Sequence, residues 1–157
     1  YIIYMSLKII STNRKANYEY HIIDKYEAGI VLVGSEVKAL RESNVTIKES
    51  YVKFIKNELF TIGMHISEYS HTGYSSHEPS RFRKLLLHKK ELNKISRSIQ
   101  EKGMTLIPLK LYFKGGRVKL EFATAKGKRL WDKRQDIMKK DMLRQADRTF
   151  KKKKIKL

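Results

Sequence analysis

The order of apolar and polar positions divides the chain into short strands, two helices and a long charged end. Between Tyr18 and Val33 the residues are mostly β-branched or aromatic. The charged Asp24-Lys25 pair interrupts them, so the pattern predicts two strands joined by a tight turn. Gly34 ends the second strand, and Ser35 is placed to cap a short helix from Glu36 to about Glu42, with Val37 and Leu40 on its inward face. Tyr51, Phe54 and Ile55 then precede Lys56-Asn57-Glu58, and Leu59, Phe60, Ile62, Met64 and Ile66 follow. This is a hairpin pattern. Residues 67–80 are polar, contain Gly73 and Pro79, and read as a long surface loop.

Lys84-Leu85-Leu86-Leu87 is strand-like, and from Lys89 to Lys102 the apolar positions Leu92, Ile95 and Ile99 recur at helical spacing until Gly103 stops them. The last hairpin runs from Leu106 to Phe113, turns at Lys114-Gly115-Gly116, and returns through Val118, Leu120 and Phe122 alternating with Lys119 and Glu121. One face is core and the other is wet. Some six or seven short strands with two inserted helices predict a mainly β fold with short helices, a small closed or partly open barrel of which the oligonucleotide-binding fold is one type.

Charge changes this picture at the C-terminal end. Lys and Arg exceed Asp and Glu by 35 − 16 = 19, and residues 126–157 hold fourteen of the cations against four Asp. Such an excess calls for a polyanionic partner, and nucleic acid is favoured because phosphate binding releases condensed counterions. On a helical wheel Lys133, Arg134, Lys140, Arg144, Arg148, Lys151 and Lys152 share one arc, with Met138, Met142, Ala146 and Phe150 on another. Like charges repel and the apolar stripe has no partner, so this tail is expected to be disordered in the free protein and helical when bound. The expected organisation is an N-terminal extension over 1–12, a barrel over 13–125 and a basic tail over 126–157.

The 157 residues suit a single core, and the absence of cysteine removes disulfides, thiolate zinc sites and cysteine nucleophiles and is compatible with a reducing cytosol. The opening Tyr1-Ile2-Ile3-Tyr4 lacks a basic region and a cleavage site, so no signal peptide is read; Met5 is the expected initiator. No apolar run approaches the roughly 20 residues of a membrane helix. His65, His71 and His77 recur at six, not at the three or four that align ligands on a helix, so neither a metal nor a cofactor is expected. No nucleophile elbow or phosphate-binding glycine loop occurs, and a ribonuclease using His88 or Glu27 has nothing in its favour.

Two features are open to two readings. Lys126-Gly127-Lys128-Arg129 either cradles a phosphate through its glycine or is a solvated loop. Trp131, among Lys128, Arg129, Asp132, Lys133 and Arg134, either stacks on a base or folds back on the barrel.

Several strings in order then carry a resemblance: Asn13-Arg14-Lys15-Ala16, Tyr26-Glu27-Ala28-Gly29-Ile30, Gly34-Ser35-Glu36-Val37-Lys38-Ala39-Leu40-Arg41, Arg83-Lys84-Leu85-Leu86-Leu87, Pro108-Leu109-Lys110-Leu111-Tyr112-Phe113, Ala125-Lys126-Gly127-Lys128 and Asp132-Lys133-Arg134. From about Asn13 onward the chain resembles the small protein B family, the tmRNA-binding proteins of bacterial trans-translation. The resemblance implies a cytoplasmic, monomeric, non-enzymatic protein with an oligonucleotide-binding-like barrel. Its barrel would hold the tRNA-like domain of tmRNA, and its tail would enter the decoding region and mRNA channel of the small ribosomal subunit. Elongation factor Tu would join through the tmRNA complex. A ribosomal protein held in a subunit and a small nuclease are the competing classes.

Carried over by motif, Asn13, Glu27, Leu86 and Lys119 belong to the tmRNA-binding surface, with Lys38, Arg83, Lys84, Lys126 and Lys128 as phosphate contacts; Arg14, Lys15, Arg41 and Gly127 lie in the same motifs. Trp131, Asp132, Lys133, Arg134, Lys140, Arg144 and Arg148 would serve the decoding region. Trp131 departs from the His or Tyr of relatives but keeps an aromatic plane. A carboxylate repels phosphate, so Glu27 would accept a hydrogen bond from a base or ribose, or else simply pair with Lys25 or Arg14. Leu86 packs either on a base or into the core.

Overall fold

The computed structural model describes residues 6–69, 71 and 76–154, with 153 and 154 as backbone alone. The expectations about Met5 and Gly73 lie outside these residues. Strand β2 (Tyr20–Ile30) is continuous where a turn is predicted. Its register against β9 (Arg117–Gly127) shifts by one residue between Ile22 and Asp24, and the Asp24 N–H donates to Thr124 Oγ1 at 3.1 Å. The charged pair therefore follows a β-bulge inside one strand: Ile23 is the extra residue, half exposed, and the ladder resumes at Asp24.

Seven strands form one sheet in the order β1 (Leu7–Thr12), β8 (Thr105–Lys114), β4 (Tyr51–Ile55), β5 (Glu58–Ile62), β7 (Arg83–Leu86), β2, β9. Because β8 also pairs with β9, six of them close into a ring, and β1 lies alongside β8. The ring is unevenly sealed. The β8–β9 and β2–β9 ladders are long, whereas β4 meets β8 through Val52 opposite Leu106, and β2 meets β7 only at Gly29–Leu86 and Ile30–Leu85. A mainly β fold with a nearly closed barrel is what the alternation predicts. Leu7 to Thr12 pair with β8 and Ile10 packs on the core, so the sheet begins at Leu7, ahead of the boundary expected at Asn13.

Two short strands, β3 (Val45–Thr46) and β6 (His65–Ile66), pair beside the ring. The two hairpin turns are two-residue turns with both central residues in the left-handed region: Lys56 and Asn57 (φ 49° and 63°), then Gly115 and Gly116 (φ 58° and 76°). This geometry matches the strand twist, so Glu58 and Lys114 belong to strands. At Gly63 (φ 79°) an added Cβ would stand 3.1 Å from the Glu49 carbonyl oxygen and 3.4 Å from Ser50 Cα. Gly63→Ala is expected to cost about 1–3 kcal/mol, read as a lower urea midpoint with an unchanged slope.

Helix α2 (Gly34–Arg41) starts one residue before its expected cap. Glu36 caps it instead, accepting from the Val33 N–H at 2.9 Å, and Ser35 bonds the His77 ring at 2.9 Å. Helix α3 (Lys89–Lys102) has the predicted limits: the His88 N–H donates to Glu91, Ile95 is fully buried, Leu92 and Ile99 pack beside it, and Gly103 ends it at φ 59°. The main core fills the ring with Leu40, Ile47, Leu59, Leu106, Leu111, Leu120 and Phe122. A second, smaller core corrects the expectation of a wet outer face. Ile107, Leu109, Ala123 and Ala125 are covered on the outside by Ala16 of helix α1 (Ala16–Glu19) and by Tyr20 and Ile22. Helix α4 (Leu130–Lys154) follows β9 after two residues. Among the described residues no helix is long and apolar enough to cross a membrane.

Candidate nucleic-acid interface

Strand register brings together residues far apart in sequence. Gly29 on β2 lies opposite Leu86 of β7 on one side and Lys119 of β9 on the other, and Lys119 lies opposite Tyr112 of β8. Leu86, Gly29, Lys119 and Tyr112 thus form one row across four strands, each step about 4.8 Å. Glycine lowers the floor of this row: a Cβ at Gly29 would touch Leu86 Cβ at 3.4 Å. Leu86 is 53% exposed, which removes its core reading, and with Leu32, Val37, Arg117 and Lys119 it lines a groove of about 360 Å³. A shallow apolar floor rimmed by cations suits a ribonucleotide.

Glu27 stands two residues along β2 on the same face. Its partners are neither Lys25, which pairs with Glu121, nor Arg14. The Tyr112 hydroxyl donates to Oε2, and Lys114 Nζ reaches both oxygens at 3.0 and 3.1 Å. The Tyr112 hydrogen bond, aided by Lys114, holds the Glu27 carboxyl below the usual carboxylate value, while burial and Glu27 push the Tyr112 phenol up. Compensated in this way, the carboxylate can face RNA as an oriented acceptor. Tyr112 stands in the Pro108–Phe113 string but, like Lys114, is given no site role by it, although the Gly115-Gly116 turn fixes their register against Lys119 and Arg117.

The expected phosphate contacts and the cations in the same motifs divide. Arg14, Lys15, Arg41 and Lys126 are exposed. Lys38 lies 5.7 Å from the Tyr69 ring centroid, and Lys84 pairs with Glu58 at 2.6 Å on the surface. Arg83 is corrected outright. It is fully buried, its Nε donates to Glu36 Oε1 at 2.8 Å, and its other nitrogens donate to the carbonyls of Met64, Arg81 and Pro79 at 2.7 to 3.0 Å. It cannot reach a phosphate. Burial pushes Glu36 up, but bonds from Arg81, the Val33 N–H and Arg83 outweigh it and hold the carboxyl below its ordinary value. His77 is also inside, its Nε2 donating to the Ile66 carbonyl at 3.0 Å, so the predicted surface loop is tied down there.

Asn13 is buried too. Its backbone and side-chain N–H groups donate to the Leu109 and Pro108 carbonyls at 2.8 and 3.1 Å, which seats α1 on β8 and leaves Arg14 and Lys15 displayed. Gly127 pairs with Tyr20, and a Cβ there would meet open space, so its backbone imposes no need for glycine. Lys128 is largely covered: its Nζ donates to the Asn17 carbonyl at 2.7 Å and to Asp136.

The tail is helical over Leu130–Lys154 in the chain by itself, where a disordered free tail is expected. Trp131 is 57% exposed, which favours stacking over a fold-back onto the barrel. Asp132 accepts from the Arg129 N–H at 3.3 Å and lies 3.5 Å from His21 Nε2, and Lys133 sits 5.7 Å from the Tyr18 ring centroid. Arg134, Lys140, Arg144 and Arg148 are exposed, as are Met138, Met142 and Phe150.

The chain is similar to known proteins over most of its length. A family model described as SmpB protein matches residues 10–152. An SsrA-binding protein of Syntrophobacter fumaroxidans is 51% identical over 141 residues, covering 90% of this chain and 88% of its own length. One of Acetivibrio thermocellus is 51% identical over 144 residues, 92% of this chain and 94% of its own. A solved chain described as "tmRNA-SmpB: a journey to the center of the bacterial ribosome" superposes with a TM-score of 0.63 at 41% identity, over 76% of this chain and 85% of that one.

Proposed function

Because this chain belongs to the SmpB protein family, we propose that it binds the tRNA-like domain of tmRNA and carries it to stalled ribosomes, where trans-translation replaces a broken message and tags the nascent peptide. It acts as a cytoplasmic monomer without catalysis of its own, and elongation factor Tu joins through the tmRNA. The observation that carries the reading is the row Leu86–Gly29–Lys119–Tyr112 with Glu27 beside it. Backbone cations supply affinity for any RNA, whereas a neutralised carboxylate and an apolar groove respond to base edges and unstacked rings.

The test is binding of the tRNA-like fragment against an ordinary tRNA of matched length at one stated salt concentration. The fragment is expected to bind more tightly, and equal affinity sinks the proposal. Glu27→Ala is expected to remove about 1–3 kcal/mol of that discrimination, the value of one oriented contact to a base edge. Its unfolding midpoint should fall only modestly, since the ion pair with Lys114 is at the surface and the loss is confined to the Tyr112 hydroxyl, which gives up its acceptor. An unchanged ratio between the two RNAs would take Glu27 out of the interface.

A further inference from the structure

The join between barrel and tail is the part of the molecule that these roles leave unexplained. Helix α4 has 25 residues, and its apolar residues Leu130, Trp131, Met138 and Met142 are 57–76% exposed. Apolar burial does not fix its direction. A cleft of about 470 Å³ bordered by Arg14, Tyr18, Ile137 and Leu143 lies beside α1 and α4, and Lys133 of α4 sits over the Tyr18 ring of α1. What ties them is polar. The Lys128 N–H donates to the Glu19 carbonyl at 2.9 Å, and its ammonium bridges the Asn17 carbonyl of α1 and the Asp136 carboxylate of α4. One helical turn earlier, Asp132 lies near His21 of β2. Asp132 and Asp136 are four apart, so both ties fall on one side of the helix.

We propose that Lys128, Asp136 and the Asn17 carbonyl form an elbow that sets the angle at which the tail helix leaves the barrel. Asp136 and Lys128 are then positioning residues for the tail's task on the ribosome, an inference that rests on the proposed function. The Lys128 side chain is only 10% exposed, as expected of an internal strut. Its bridge to Asp136 holds that carboxyl below the ordinary aspartate value. Leverage makes the angle matter. From Asp136 to Lys154 the helix runs about 27 Å, so an error of about 15° at the elbow carries its far end about 7 Å. That exceeds the reach of any hydrogen bond the end of the tail could make.

The experiment uses full-length protein with tmRNA and stalled ribosomes, and compares Asp136→Lys with the conservative Asp136→Glu. Asp136→Lys is expected to bind the tRNA-like fragment like the parent and to tag about tenfold less, the equivalent of one or two hydrogen bonds that a misdirected tail fails to make. Asp136→Glu keeps a carboxylate for the Lys128 ammonium and leaves its bond to the Asn17 carbonyl in place, so it tags like the parent. A second readout does not depend on activity: the chain has no cysteine, so Lys53→Cys and Met138→Cys give two unique sites for spin labels. Their distance distribution should be narrow in the parent, broad in Asp136→Lys and narrow again in Asp136→Glu. Full tagging with a narrow distribution in Asp136→Lys, or an Asp136→Glu variant as defective as Asp136→Lys, overturns the elbow. Equal parental affinity for fragment and ordinary tRNA overturns the functional proposal instead, and the label distances still decide the elbow.

Discussion

Arg83→Met is expected to destabilise the fold by about 3–5 kcal/mol, because it removes the buried partner of Glu36 and leaves three inward-facing backbone carbonyls without their donor. Both side chains are wholly inside the protein, and Arg83 alone ties Glu36 to three backbone carbonyls around the start of β7. Arg81 holds Glu36 from its other side at 2.8 Å, but it is partly exposed and cannot satisfy the Met64, Arg81 and Pro79 carbonyls. A domain of this size is stable by about 5–15 kcal/mol in all, so the loss is a large fraction of the total. Urea unfolding followed by circular dichroism should show the midpoint falling by about 2 M or more. RNA binding would then fail through unfolding, equally for every RNA. A variant with the parental midpoint and weakened RNA binding would return Arg83 to the phosphate-contacting set. The same cluster sets an acid limit. The Glu36 carboxyl is held below its ordinary value, so its stabilising contribution is complete above the unfolded carboxylate pKa of about 4.3 and is lost as pH falls through the folded one.

Arg83 also illustrates why charge patterns mislead. In sequence, Arg83-Lys84 is a basic pair beside an apolar run, indistinguishable from a phosphate contact. Alternation along β7 sends neighbours to opposite faces, so Lys84 goes out and Arg83 goes in, where Glu36 from a distant helix meets it. Nothing local announces that partner. The Asp24-Lys25 pair fails as a turn for a similar reason: a bulge carries a charged dipeptide through a strand whose partner lies about a hundred residues away.

Elements whose cause is local are legible in type and position. Helix α3 needs only its spaced apolar positions and Gly103, and the last hairpin only its glycines and alternation. Site residues follow the same division. The resemblance names Glu27, Leu86 and Lys119, but that they form one face follows from cross-strand register, which motif strings do not carry. Tyr112 is within reach by counting back from the Gly115-Gly116 turn. The role of Lys128 is not, because its partner Asp136 stands four residues before Lys140 on the same helix, and that spacing alone offers the carboxylate a cation.

Deleting residues 131–157 is expected to leave binding of the tRNA-like fragment within about threefold of the parent while abolishing tagging on ribosomes. The deletion removes eleven Lys and Arg against four Asp, 11 − 4 = 7 of the net 19 charges, so an effect on any RNA would be the naive forecast. Distance decides otherwise. The helix extends about 37 Å from its start, whereas charges are screened beyond about 8 Å at physiological salt. Only the first turns lie near the barrel face, and they bring Asp132 and Asp136 as well as Lys133. Their removal also releases the Lys128 ammonium, so any small change in fragment affinity should be toward tighter binding. The slope of log affinity against log salt gives the finer measure. It should stay at the parental value for the fragment, because each phosphate that is no longer neutralised would lower it by about 0.7–0.9. If the truncated protein failed to bind the fragment while keeping its urea midpoint, the tail would be part of the tmRNA site and the separation of barrel from tail would be wrong.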